Sequence, residues 1–215
     1  METILLLAIV YAGLVLGILG YLDYRYREID PEIWYPLTIV GAGIGFYYSI
    51  PQYDARLYLA GIIVALAITG VFAVSYLLGL MGGADIYAVA FLSLTLPTPL
   101  HEEGLPPILS ILLYSSILAA IYRAVAVAHA VGPRHVLRFS HRIEKRRLLE
   151  DRRFMWWLPK GVDIEEDLAE ELYKAPGKVL KASPGIPLIT MMFLGFIAYL
   201  VFGDLIYRII LMVMG

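Results

Sequence analysis

Apolar residues run through this chain in long blocks, without the 3.6-residue periodicity of a surface helix or the alternation of a half-buried strand. A helix that crosses a hydrocarbon core needs roughly 20 apolar residues. Six blocks stand out: about Thr3 to Leu22, Ile33 to Ile50, Leu57 to Leu80, Asp85 to Leu96, Pro106 to Val131 and Ile186 to Met214. Only Glu2 precedes the first block, and no small-residue cleavage site follows it. It therefore reads as a retained helix and not as a signal peptide. The fourth block is short, about 18 Å at ~1.5 Å per residue, and Pro97 and Pro99 close it. The pattern predicts an all-α polytopic membrane protein with six transmembrane helices. A membrane domain over residues 1–131 holds five of them. A cytoplasmic segment over 132–185 separates it from a sixth helix over 186–215.

Composition agrees. Hydrophobic residues make up 60% of the 215 and charged residues 17%, where soluble domains carry about a quarter charged. The absence of cysteine excludes disulfides, thiol catalysis and thiolate metal sites. The four histidines are scattered, and His135 and His141 lie among basic residues. No metal, no cofactor and no nucleic-acid partner is expected; the lipid bilayer is.

Basic residues orient the chain. With six spans, the first loop (Arg25, Arg27) and the stretch from Gly132 to Gly185 share one side, which then carries fourteen of the seventeen Lys and Arg residues. That side is expected to be cytoplasmic. From Arg134 to Trp157 the stretch mixes basic with apolar residues and reads as an amphipathic helix on an anionic leaflet. The acidic run from Asp163 to Glu171 reads as a solvated face. In the last block, Asp204 and Arg208 lie four apart and are expected to pair on one helix face. Gly13-Leu14-Val15-Leu16-Gly17 and Gly41-Ala42-Gly43-Ile44-Gly45 are small-residue patterns that let helices approach closely.

Two carboxylates interrupt this scheme. Asp23 ends the first block and Asp85 opens the fourth, after Met81-Gly82-Gly83-Ala84. An ionisable side chain at a membrane helix end is costly unless it meets water or a partner. Solvation in a short loop is the bland account of either one. The topology, however, brings both to the cytoplasmic face. Two carboxylates that meet there share a proton, because like charges a few ångströms apart resist joint ionisation. One can then take a proton from water while the other polarises a carbonyl, the logic of aspartic proteases. Which serves as base is open. Ser75 lies near the glycine loop, but no histidine accompanies it.

Gly82-Gly83-Ala84-Asp85 resembles the Gly-x-hydrophobic-Asp motif (GxGD type) of intramembrane aspartyl proteases. With an aspartate ending the first helix and the loop Asp23-Tyr24-Arg25-Tyr26-Arg27-Glu28-Ile29, the chain is similar to the type IV prepilin peptidases, and most similar to the archaeal preflagellin (archaellin) and prepilin subgroup. Pro184-Gly185-Ile186-Pro187 before the last helix also looks like that subgroup. Many members carry glycine where this chain has Ala84. The resemblance implies an aspartic endopeptidase with Asp23 and Asp85 as catalytic pair and Gly82, Gly83 and Ala84 as backbone support. Its implied substrates are pilin or archaellin precursors, whose basic leader is cut at the cytoplasmic face ahead of an apolar helix. Glu28, Asp30 and Glu32 can attract such a leader, or simply solvate the loop. A small proton- or ion-coupled transporter using Asp23 and Asp85 is the alternative. Transporters often carry matched repeats, and no second Gly-Gly-Ala-Asp occurs.

Overall fold

Each apolar block is helical over most of its described length. The computed structural model describes residues 2–26, 29–52, 55–77, 83–100, 105–130, 141–144, 154–156, 179–184 and 186–214. Five helices precede the basic stretch: α1 (Glu2–Tyr26), α2 (Pro31–Gln52), α3 (Ala55–Leu77), α4 (Gly83–Thr95) and α5 (Pro107–Ala130). Two follow it, α6 (Leu188–Phe202) and α7 (Leu205–Met214). At the start of α2, the Asp30 carboxylate accepts the Glu32 N–H at 2.9 Å. Pro31 sits at the first helical position, where its missing donor costs nothing.

Among the described residues, three helices are long and apolar enough to cross a membrane: Thr3–Arg25, Tyr58–Leu77 and Pro107–Ala128. α6 and α7 make a fourth if the bent pair is one span. α2 has the length, at 22 residues, but its glycines, tyrosines and prolines dilute its apolar character. α4 is apolar but has only 13 residues. The protein is a membrane protein built on apolar helices.

Glycines set how these helices meet. Gly13, Gly17 and Gly20 line one stripe of α1, where an added Cβ would touch Phe196, Phe193 and Thr190 of α6. The residue numbers run in opposite senses, so α1 and α6 are antiparallel. On α2, Gly41 and Gly45 face Thr95 and the Leu94 carbonyl of α4, and Gly61 of α3 faces the Pro97 carbonyl. Backbone meets backbone there, as small-residue seams allow. Tyr35 contacts Tyr87 near the starts of α2 and α4, and Ser49 bonds Thr98 near the end of α2 at 3.1 Å. α2 and α4 are therefore parallel.

The shortness of α4 has a structural answer. Past Thr95 the chain continues as the non-helical segment 96–100, in which Leu96 and Thr98 are buried. Non-helical backbone at membrane depth is tolerated only where protein shelters it. The Thr98 hydroxyl also donates to Tyr48 Oη at 3.3 Å. Trp34, Phe91, Leu92, Met192 and Phe196 join α1, α2, α4 and α6 in one buried cluster.

The sixth helix, expected as one run over 186–215, is corrected to a bent pair. It breaks at Gly203–Asp204 with a 54° bend. Gly203 has φ 76° and donates its N–H to the Tyr199 carbonyl, ending α6 in the left-handed region that favours glycine. Asp204 then caps α7, accepting the Tyr207 N–H at 3.0 Å. It also accepts Leu105 N–H at 2.8 Å and Ser110 Oγ–H at 2.6 Å. The expected Asp204–Arg208 pair is replaced by these backbone and hydroxyl donors.

The all-α expectation needs a second correction. A separate unit covers residues 119–186. Its described residues include β1 (His141–Glu144), β2 (Phe154–Trp156) and β3 (Val179–Pro184), an antiparallel sheet in the order β1-β3-β2. His141 pairs with Ala182 and Phe154 with Pro184. The amphipathic helix expected from Arg134 to Trp157 is thus strand wherever it is described. Its Ile and aromatic residues suit a paired surface, and the partner strand lies far along the chain. The remainder of that stretch and the acidic run from Asp163 lie outside the described residues.

Candidate active site

Asp23 sits in the last turn of α1, half-buried. Its Oδ2 accepts the backbone N–H groups of Ile189 at 3.0 Å and Thr190 at 3.3 Å. These belong to the first turn of α6, whose leading N–H groups have no partner within their own helix. Pro187, the N-cap residue, provides no side-chain cap. The Asp23 carboxylate does so from another helix.

Asp85 lies in the first turn of α4, also half-buried. Ala84 beside it packs against the buried cluster. The third motif position is thus a small apolar residue turned to the core, which suits alanine as well as glycine. Each aspartate lies at the N-terminal turn of a helix, Asp85 within its own and Asp23 bonded to that of α6. The helix macrodipole favours negative charge at that end.

The helix directions bring the two aspartates to one end of the helical unit. α1 and α6 are antiparallel, so the end of α1 meets the start of α6. Tyr11 donates to the Leu37 carbonyl at 2.9 Å and its ring lies tilted against Phe91, which joins α1, α2 and α4. α1 and α2 form a hairpin, so the start of α2 is at the Asp23 end. α4 runs parallel to α2, so Asp85 starts there too. Ser75 offers no competing nucleophile, since its hydroxyl donates to the Val71 carbonyl one turn back, at 2.9 Å.

A model of the type IV leader peptidase family matches residues 9–124. That is more than half of the 215 residues, and it contains both aspartates. The chain belongs to the type IV leader peptidase family. Comparison with curated proteins and with solved structures gives no match.

Of the peptidase's other expected site residues, Gly83 opens α4, while Gly82 and Glu28 lie outside the described residues. Asp30 is the cap of α2 and Glu32 is exposed in its first turn, both at the aspartate end. Sequence reasoning missed Ile189, Thr190 and Gly20. Thr190 Oγ1 donates to the Gly20 carbonyl at 2.7 Å. The one hint is Pro187: a helix starting after a residue that cannot cap it needs a cap from elsewhere. The sequence does not say from where.

Proposed function

We propose that this peptidase is an aspartic endopeptidase that removes the basic leader of pilin-like or archaellin-like precursors, with Asp23 and Asp85 as its catalytic pair. The observation that carries the reading is the arrival of two carboxylates, from α1 and α4, at one end of the helical unit and within the family-matched segment. One carboxylate takes a proton from water as the water oxygen bonds to the scissile carbonyl carbon. The other gives its proton to the carbonyl oxygen. Collapse of the tetrahedral species then breaks the C–N bond, and a proton passes to the leaving amine.

In this reading the chain crosses the plasma membrane six times, with α2 and α4 (extended by 96–100) completing the count, and the aspartate end is cytoplasmic. The exposed tyrosines Tyr21, Tyr24, Tyr35 and Tyr76 support a headgroup level there, because all four lie at the ends of α1, α2 and α3 that meet the aspartates. Asp30 and Glu32 lie where a basic leader would arrive. A transporter using the same aspartates is disfavoured by membership of a peptidase family.

The test is co-expression with a leader-bearing precursor. Asp23→Asn and Asp85→Asn each abolish cleavage while the protein still inserts in the membrane. Near-normal processing by either variant overturns the pairing.

A further inference from the structure

The start of α6 lies outside the segment the family model matches, yet it grips the carboxylate of α1. Three hydrogen bonds make the grip. Ile189 and Thr190 donate their N–H groups to Asp23 Oδ2, and the Thr190 hydroxyl donates to the Gly20 carbonyl. Gly20 lies three residues before Asp23, on the same face of α1. Its lack of a side chain permits the contact, since a Cβ there would lie 3.2 Å from the Thr190 Cα and 3.5 Å from the Ile189 carbonyl oxygen. One residue of α6 therefore holds both the backbone and the functional side chain of a single turn of α1.

We infer that Thr190 is a positioning residue for Asp23, and that the first turn of α6 sets the direction of its carboxylate. This inference rests on the reading of Asp23 as a catalytic residue. A side chain on the last turn of a helix has several staggered rotamers. Holding Oδ2 against two fixed N–H donors selects one of them. The Thr190–Gly20 bond keeps those donors from sliding along or turning about α1. Constellations of this kind need to be held to within about half an ångström, and a displacement of about 1 Å from a remote change costs on the order of 100-fold in rate.

The experiment uses the full-length protein in detergent or liposomes and a leader-bearing precursor. Thr190→Val keeps the shape and removes the hydroxyl; it lowers kcat about 10- to 100-fold and leaves KM unchanged. Thr190→Ser restores the hydroxyl and returns kcat to near the parent value. Gly20→Ala is an independent second variant: it keeps every donor and acceptor but forces the two backbones apart, and it also lowers kcat at constant KM. Asp23→Asn, run in parallel, abolishes cleavage. Parent-like kcat in both Thr190→Val and Gly20→Ala overturns the inference and leaves the catalytic pair standing. So does a loss in Thr190→Val that serine fails to rescue. Retained cleavage by Asp23→Asn overturns the catalytic reading itself, and the inference with it.

Discussion

Gly45 lies far from both aspartates, and replacing it tests how the fold sets their positions. A Cβ added there would overlap the Leu94 carbonyl oxygen and lie 2.9 Å from that of Thr95 and 3.2 Å from Pro97 Cδ. Carbonyl oxygens cannot rotate aside, so one helix must move. Restoring ordinary contact takes about half an ångström at Thr95 and about 1 Å at Leu94, an overpacking that costs about 1–3 kcal/mol. α4 is a single helix of 13 residues, and Asp85 is nine residues from Leu94, about 14 Å along it. The displacement therefore reaches the carboxylate. Gly45→Ala lowers kcat/KM for a leader-bearing precursor by about 10- to 100-fold. It also lowers the melting temperature in detergent by roughly 2–12 °C, at about 2–4 °C per kcal/mol. Gly43→Ala is the control, two residues away with nothing within 4 Å of its added Cβ. It leaves cleavage unchanged and gains up to about 1 kcal/mol of helix propensity. Parent-like cleavage and melting in Gly45→Ala, or an equal loss in Gly43→Ala, refutes the seam as the element that places Asp85.

Asp204, 7% exposed, accepts Leu105 N–H, Ser110 Oγ–H and Tyr207 N–H. Asp204→Ala strands buried donors at about 1–3 kcal/mol each, so thermal melting falls several degrees. Asp204→Asn, which keeps one acceptor oxygen, falls less, and an equal loss in both contradicts the hydrogen-bond account. Asp30→Ala costs about 1 kcal/mol of stability by removing the cap of α2. Asp30→Asn keeps stability, so cleavage assays of Asp30→Asn separate capping from leader attraction: a lost carboxylate charge slows a basic leader only if Asp30 meets it.

The helix ends were legible because apolar blocks stop at polar or proline positions, so α2 and α5 begin and end within two residues of where hydropathy places them. Pro97 and Pro99 announced that α4 stops early. The break before α7 was also written in the chain: Gly203 suits a left-handed helix end and Asp204 a cap. The unbroken apolar run on both sides masked it. The sheet was not legible, because β1 gains its partner from residues 179–184, and strand pairing is decided by whatever arrives opposite. Both aspartates stood out as charges in apolar surroundings. The contact of Asp23 with Ile189 and Thr190, 166 and 167 residues away, leaves no local trace.

The brevity of α4 bears on how the protein is made. Thirteen residues are too few to lodge stably across a bilayer alone, and the non-helical chain after them exposes carbonyls that lipid cannot satisfy. α2 and α3 leave the ribosome first and present a glycine-lined trough. Assembly then has a required order, receiver before insert. Crowding substitutions in that trough strike at biogenesis before any substrate arrives.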